Sequence, residues 1–318
     1  KDLKKSWVAT SYIPVYEVMS NDFNPKELKD KNSLDILFIK PLAGKSFSED
    51  GLEMEDMCEK LESFIKVYDS WITTQREELL DSTIDRLPLS DINKRILKER
   101  ARVNLEKCKV LYQRMYDGIQ LLRKKEKCFE AFCDANRAMY MQRYMGSYII
   151  EKKKDLDSVF IWPGENDEKL PDYSKGISNE GNPGKPFFAK WRPFQLAFLL
   201  SQIVGLEDSE SDEREQVDLI WFSTGGGKTE AYLGLIAMYL FYRRLRHEAN
   251  PDQGAGVSVF MRYTLRLLIK DQYNRAIPLI LACDLIRKEK PKSYGQTPYS
   301  IGIWVGQSLT PNKNDGRE

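Results

Sequence analysis

The chain has 318 residues, of which 42% are hydrophobic and 11% aromatic, so it can bury a substantial core and is long enough for two domains. Its 49 Lys and Arg residues balance 48 Asp and Glu residues, which excludes an overall basic field that would attract the whole protein to nucleic acid. Any contact with nucleic acid is therefore expected to be local.

The composition also limits the chemistry and the compartment. Five cysteines occur without a C-x-x-C pair, which favours buried thiols in a reducing, cytoplasmic environment. The single histidine, His247, excludes a His-rich metal site and most Ser–His or Cys–His nucleophiles. The apolar runs are shorter than the roughly 20 residues that span a bilayer, so no membrane segment is expected. The chain begins with Lys1 rather than Met, and we expect the natural protein to be longer.

The first part of the chain is predicted to contain three segments. Residues 1–45 hold short β-like runs broken by prolines, which predicts a small lead-in element with short strands. Residues 46–160 carry apolar side chains at helical spacing, as at Met57 and Leu61, and predict a helical accessory domain. Residues 161–190 are rich in glycine, proline and polar side chains, which is typical of a linker.

One helix of the accessory domain combines aromatic and basic residues. Tyr140, Tyr144 and Tyr148 lie at helical spacing beside Arg137 and Arg143. Such a surface resembles a nucleic-acid platform, on which bases stack. Aromatic residues at this spacing are more often part of a core, and we favour packing.

Residues 191–318 alternate helix-like and strand-like segments. Residues 217–222 have the length and residue types of a buried parallel strand, and residues 256–261 predict a second strand. Alternation of this kind favours a parallel sheet with helices on its faces. The predicted fold class is therefore α/β, with an incomplete P-loop NTPase (RecA-like) parallel-sheet lobe, the N-terminal part of a first ATP-binding lobe, preceded by a mainly helical domain.

The strongest motif is the run Thr224-Gly225-Gly226-Gly227-Lys228-Thr229, followed by Glu230 and a series of good helix formers. Glycines lack a Cβ atom, so the backbone N–H groups of the run can approach a triphosphate closely. The start of the next helix and the ammonium of Lys228 face the β and γ phosphates, and the hydroxyl of Thr229 can ligate magnesium. The run and Glu230 therefore predict a site for ATP and Mg²⁺, with Lys228 and Thr229 as its catalytic residues.

Other interpretations of this loop fit less well. A glycine triplet is also typical of a flexible turn, but a turn does not explain Lys-Thr at the start of a helix. The general G-x-x-x-x-G-K-[ST] pattern would place Gly at position 222, where this chain has Phe222, and that departure disfavours a kinase or GTPase. A superfamily 2 helicase loop, approximately A-x-T-G-x-G-K-T, tolerates the difference, and residues 223–229 resemble it.

Two flanking segments are similar to further helicase motifs. Arg192-Pro193-Phe194-Gln195 resembles the R-P-x-Q segment that holds adenine, and the amide of Gln195 offers the matching donor and acceptor. A surface loop is the alternative. The segment that contains Arg262, Thr264 and Arg266 is similar to motif Ia, which implies contacts with strand phosphates. Packing of the helix that begins there is the alternative.

The groups that hydrolyse ATP are not assigned. A motor needs a D-E-x-x acid pair on a strand after the phosphate loop and an arginine finger from a second lobe. Asp167-Glu168 and Asp212-Glu213 precede the loop, so their position does not suit that role. We expect these groups beyond Glu318, and expect this chain alone to bind nucleotide without appreciable hydrolysis.

A closer family resemblance covers roughly residue 100 onward. Residues 221–235 resemble the phosphate loop of the DrmA-like superfamily 2 helicases of DISARM antiphage systems, and residues 131–139, 262–268 and 300–306 are similar to other segments of that family. The family usually has Pro where this chain has Ser223. The resemblance implies an ATP-dependent DNA helicase or translocase of bacterial defence, with DNA, a DrmB-like protein and a DNA methyltransferase as partners. The alternative is a nucleotide-gated assembly module without unwinding activity.

Overall fold

The computed structural model describes residues 36–76, 80–155, 189–221, 225–263 and 266–303, without side chains for 146–155 and 266–270. Helices make up most of these residues. In chain order they are α1 (Ile39–Leu42), α2 (Met54–Thr74), α3 (Leu80–Asp85), α4 (Asp91–Lys124), α5 (Glu126–Asp155), α6 (Pro193–Ser201), α7 (Ile203–Glu207), α8 (Lys228–Leu245), α9 (Arg266–Glu289) and α10 (Pro291–Tyr294). Two short 3-10 helices span Asp212–Glu215 and Pro251–Gly254.

Helix α5 lies at the centre of the molecule and contacts α1, α4, α8 and α9. Its small side chains Ala131, Ala135 and Ala138 are buried at helical spacing, which allows neighbouring helices to approach closely. Phe132 and Met139 fill the space between them and are also buried. Burial of a large apolar side chain such as Phe132 or Met139 stabilises a fold by about 1.5–3 kcal/mol.

Helices α2 and α4 pack against each other, as the helical periodicity of residues 46–160 predicts. Leu61 on α2 and Ile119 on α4 are fully buried in this contact region. At its edge, Arg123 donates to Glu62 at 2.6 Å and also bonds Glu55. The 34-residue helix α4 begins at an N-cap serine, Ser90, whose hydroxyl accepts from the backbone N–H of Asn93.

The predicted parallel sheet is wrong for the part of the chain that the structure describes. Residues 217–221 and 256–261, in which strands were predicted, form neither a helix nor a strand of a sheet. Their apolar side chains face solvent, with Val217 96% and Phe260 84% exposed. A strand needs a neighbouring segment to complete its hydrogen bonds, whereas a helix completes them within itself. Strand-like composition therefore did not indicate a sheet here.

The predicted lead-in element of residues 1–45 stays a prediction. Residues 1–35 lie outside the described residues. In the described remainder, Phe38 makes one antiparallel bridge with Lys190, and helix α1 begins at the next residue. The bridge is reinforced by a hydrogen bond from the N–H of Trp191 to the carbonyl of Leu37 at 2.8 Å.

The division into a helical domain, a linker and an ATP-binding lobe stays a prediction. Of the linker, residues 161–190, only 189 and 190 are described. The buried core is continuous from residues before the linker to residues after it, for example from Leu61 and Phe132 to Leu233 and Phe241. None of the described helices combines the length and hydropathy needed to cross a bilayer.

Candidate nucleotide site

The glycine run leads directly into helix α8, whose first residue is Lys228. Gly225 and Gly227 have φ angles of 80° and 85°, in the left-handed region that residues with a Cβ atom rarely adopt. Gly227 is the N-cap of the helix. Two of the predicted glycines therefore have a backbone that requires glycine, while Thr224 lies outside the described residues.

Arg192 and Gln195 hold this loop by its carbonyl groups. The guanidinium of Arg192 donates to the carbonyl oxygen of Gly226 at 2.8 Å, and Nε2 of Gln195 donates to that of Gly227 at 2.7 Å. Gln195 is in turn fixed because its Oε1 accepts from the backbone N–H of Arg192 at 2.7 Å. The two sequence motifs thus form one hydrogen-bonded unit.

The predicted contact of Gln195 with adenine stays a prediction. The residue is 4% exposed, and both ends of its amide already bond other groups of the site. An amide oxygen and an amide nitrogen can each make a second hydrogen bond, but a base could reach them only after the side chain is uncovered. In this structure Gln195 supports the loop.

Trp191 positions helix α8 against helix α5. Its indole N–H donates to Oδ1 of Asn136 at 2.8 Å, and both residues are buried. On the other side, the ring lies so close to Gly234 that a Cβ atom there would be 2.7 Å from Cη2 of Trp191. The missing side chain at Gly234 therefore allows α8, and the loop before it, to approach the Trp191–Asn136 pair.

Glu230, in the first turn of α8, forms an ion pair with Arg275 of α9. A carboxylate near a helix N-terminus is favoured by the helix dipole. The side chain of Glu230 is 22% exposed and that of Arg275 37% exposed, so solvent weakens the pair only partly. The pair joins α9 to the helix that follows the glycine loop.

A cavity of about 620 Å³ opens beside the loop. Its volume lies within the range of roughly 300–1,000 Å³ that is typical of small-molecule sites. Residues 225–230 form one side of the cavity. Its basic side chains are Arg143, Lys190, Arg192, Lys228 and Arg275. Among the described lining residues Glu230 is the one carboxylate, so the cavity suits a ligand with several negative charges.

Of the residues predicted to contact nucleic acid, Arg262 is the one whose side chain is described. Arg262 is exposed on the segment before α9 and does not line the cavity. Thr264 is outside the described residues. Arg266 is the first residue of α9, and its side chain is not among the described ones. Their contact with nucleic acid stays a prediction.

Several cavity residues had no sequence signal that pointed to this site. Arg143 stood out only as part of a basic and aromatic helix, and Lys190 fell at the end of the predicted linker. Arg275 and Gln272 carried no motif for this cavity. Their place in it depends on how α5 and α9 pack around α8.

Comparison with known proteins agrees with the resemblance of the motifs. Over 316 residues, 98% of this chain, the sequence is 33% identical to DISARM protein DrmA of Bacillus paralicheniformis. The chain is DrmA-like. It spans 24% of the length of that DrmA protein. The similarity expected from about residue 100 onward extends over nearly the whole DrmA-like chain, including the loop and the cavity. No protein-family model matches the chain.

Proposed function

We propose that this DrmA-like chain binds ATP with Mg²⁺ at the loop of residues 224–229. One observation carries the proposal: Arg192 and Gln195 hold the carbonyls of Gly226 and Gly227 at the start of α8, beside a cavity rich in cations. A flexible turn does not need such support. A loop that must present its backbone to a triphosphate does.

The residues fit a triphosphate. In a trans peptide the carbonyl and the next N–H point in opposite directions. Because Arg192 and Gln195 take the carbonyls of Gly226 and Gly227, the N–H groups of Gly227 and Lys228 are directed away from them. Those N–H groups are donors of the kind that hold phosphate at a helix N-terminus, where the helix dipole also favours negative charge.

Lys228 and Thr229 follow at the first two positions of α8, and both line the cavity. The ammonium of Lys228 would neutralise the β and γ phosphates, and the hydroxyl of Thr229 would hold the magnesium ion through its oxygen. When bound, the ion neutralises phosphate charge and orients the terminal phosphate. Glu230 would keep its position at the edge of the site through Arg275.

We further propose that the whole protein is an ATP-dependent DNA helicase or translocase of antiphage defence. The support is the similarity to a protein named DISARM protein DrmA, together with the motif Ia-like segment around Arg262, Thr264 and Arg266. DNA, a DrmB-like protein and a DNA methyltransferase are the partners that follow from this proposal, and the cytoplasm is the compartment.

The second candidate is an assembly module in which ATP binding controls contacts without unwinding. The ion pair between Glu230 and Arg275 favours it, because that pair links the loop to a helix that packs on α5. DNA-stimulated ATP turnover by the full-length protein, lost in Lys228→Ala, would support the motor. Binding of ATP without turnover in the same protein would support the module.

The nucleotide site itself is tested by titration of this chain with MgATP. We expect saturable binding that falls by roughly tenfold or more in Lys228→Ala, because a charge-assisted contact with phosphate is lost. Lys107→Ala is the matched control, since Lys107 is exposed on α4 and does not line the cavity. Equal affinities of wild type and Lys228→Ala would contradict the proposed site.

A further inference from the structure

We propose that Arg143 and Lys190, which line the cavity outside the glycine loop, bind the phosphates of the same nucleotide. The inference rests on the proposed ATP site and adds a binding surface supplied by helix α5 and by the segment before α6. The two residues lie outside the glycine loop and outside the R-P-x-Q and motif Ia-like segments. They would make the cavity selective for nucleoside triphosphates over nucleosides.

The basic side chains of the cavity come from different parts of the chain. Arg192 bonds the carbonyl of Gly226, and Arg275 pairs with Glu230, so both contribute to the architecture of the loop. The other basic side chains on the wall are Lys228, Arg143 and Lys190. Lys228 belongs to the first turn after the loop, Arg143 comes from helix α5, and Lys190 comes from the segment before α6.

Arg143 belongs to helix α5. It lines the cavity together with Met139 and Gln142, its neighbours on one face of α5. This face is fixed relative to the loop, because α5 carries the Asn136 that accepts from Trp191. The Nε2 atom of Gln142 also donates to the carbonyl of Arg275 at 3.5 Å. Arg143 is itself exposed, so its guanidinium is accessible to a ligand.

Lys190 lines the cavity from the segment before α6. Its backbone pairs with Phe38, and the flanking bonds from Ile39 to Ala189 and from Trp191 to Leu37 hold it in place. Its ammonium lies 3.7 Å from the centre of the Phe38 ring. A cation over an aromatic ring keeps its charge and most of its donors. Lys190 can therefore meet an anion in the cavity without leaving the ring.

A ligand that reaches from Lys228 to Arg143 would connect α8 with α5. Each added phosphate brings more negative charge to a cavity lined by several cations, so affinity should rise from AMP to ADP to ATP. Binding would also stabilise the packing of α5 against α8, because a ligand that binds only the folded arrangement favours it. The helical part would then take part in nucleotide binding directly.

The test is equilibrium binding of MgATP, MgADP and AMP to the full chain carrying Arg143→Ala, Lys190→Ala or both. We expect the double variant to bind MgATP roughly tenfold or more weakly, with a much smaller change for AMP. Arg143→Lys, which keeps the charge, should recover part of the affinity. Arg95→Ala, an exposed arginine of α4 that does not line the cavity, is the matched control and should bind like wild type.

The outcomes separate this inference from the proposed ATP site. If Lys228→Ala loses MgATP affinity while the double variant binds like wild type, Arg143 and Lys190 have no role and the ATP site stands. If wild type does not bind MgATP, both fail. Thermal unfolding without ligand shows whether each variant is folded. A double variant that keeps MgATP affinity but loses affinity for single-stranded DNA would assign Arg143 and Lys190 to nucleic acid and overturn the inference.

Discussion

The side chain of Gln195 and the backbone of Gly227 fit each other closely. Nε2 of Gln195 donates to the carbonyl oxygen of Gly227 at 2.7 Å, and a Cβ atom at residue 227 would lie 2.6 Å from that same nitrogen. The glycine therefore serves two purposes, since it adopts the left-handed conformation and leaves room for the glutamine. This contact joins the R-P-x-Q segment to the glycine loop.

Gly227→Ala is predicted to damage the site more than Gly225→Ala. Both glycines have a positive φ, and strain of this kind costs about 1–3 kcal/mol. A Cβ at Gly227 also collides with Gln195, whereas nothing lies within 4 Å of a Cβ at Gly225. Urea unfolding should show a larger loss of stability for Gly227→Ala, and titration a larger loss of MgATP affinity. Equal effects would show that the Gln195 contact is unimportant.

Gln195→Ala is predicted to weaken the binding of ATP and GTP to a similar extent, by about tenfold. Loss of the hydrogen bond from Gln195 to Gly227, worth roughly 1–1.5 kcal/mol, loosens the loop for any triphosphate. Gln113→Ala, an exposed glutamine on α4, is the control. The measurement is competitive titration with both nucleotides. If ATP affinity alone falls, Gln195 contacts the base as its motif predicts, and support of the loop is not its main role.

Gly234→Ala is predicted to displace α8 from Trp191. The added Cβ would come within 2.7 Å of the Trp191 ring, and overpacking of this kind destabilises a fold by about 1–3 kcal/mol. Thermal unfolding of the variant should show the loss. In a Trp191→Phe background the ring no longer reaches residue 234, so the same substitution should have a smaller effect. Additive effects in the double variant would mean that the two residues do not compete for space.

Asp218 gives a prediction about pH. A hydrogen bond from Arg114 lowers the pKa of Asp218 below its usual value, and Arg114 binds both of its carboxylate oxygens, at 2.7 and 3.0 Å. Because the pKa of Asp218 is lower in the folded than in the unfolded protein, its ionised carboxylate stabilises the fold at pH values above the ordinary pKa of Asp. That stability is lost as the pH falls through the folded-state pKa. Asp218→Asn should therefore be less stable than wild type at neutral pH.

The difference in stability between wild type and Asp218→Asn should become smaller as the pH falls into the acid range. Urea unfolding at several pH values measures it, from neutrality down to about pH 3, which lies below the usual pKa of Asp of about 3.9. A difference that stays constant down to the lowest pH would mean that the charge of Asp218 does not contribute. Asp208→Asn, on the exposed stretch before the 3-10 helix, is a suitable control.

The local parts of the site were predictable from sequence. The glycine run, the helix from Lys228 and the relevance of Arg192 and Gln195 follow from the chemistry of a phosphate loop and its flanking motif. What the sequence did not indicate is that Arg192 and Gln195 bond the loop itself. A motif names residue types, but the hydrogen bonds they make depend on how α6 lies against α8.

The contributions of distant elements were not predictable. Arg275 and Glu230 meet because α8 and α9 pack together, and no spacing in the sequence encodes that contact. The helices were identified because each completes its own hydrogen bonds and shows its buried face in its periodicity. The sheet was predicted from extended, apolar segments, and such segments need a neighbour that the local sequence does not specify.

The proposed nucleotide site is tested most directly by hydrogen exchange of the backbone amides with and without saturating MgATP. Peptides covering residues 225–230 are predicted to exchange more slowly when MgATP is bound, because their N–H groups bond phosphate. Lys228→Ala should remove that protection. Saturable binding of MgATP that leaves the exchange of residues 225–230 unchanged, or protects only other parts of the chain, would contradict the proposed site.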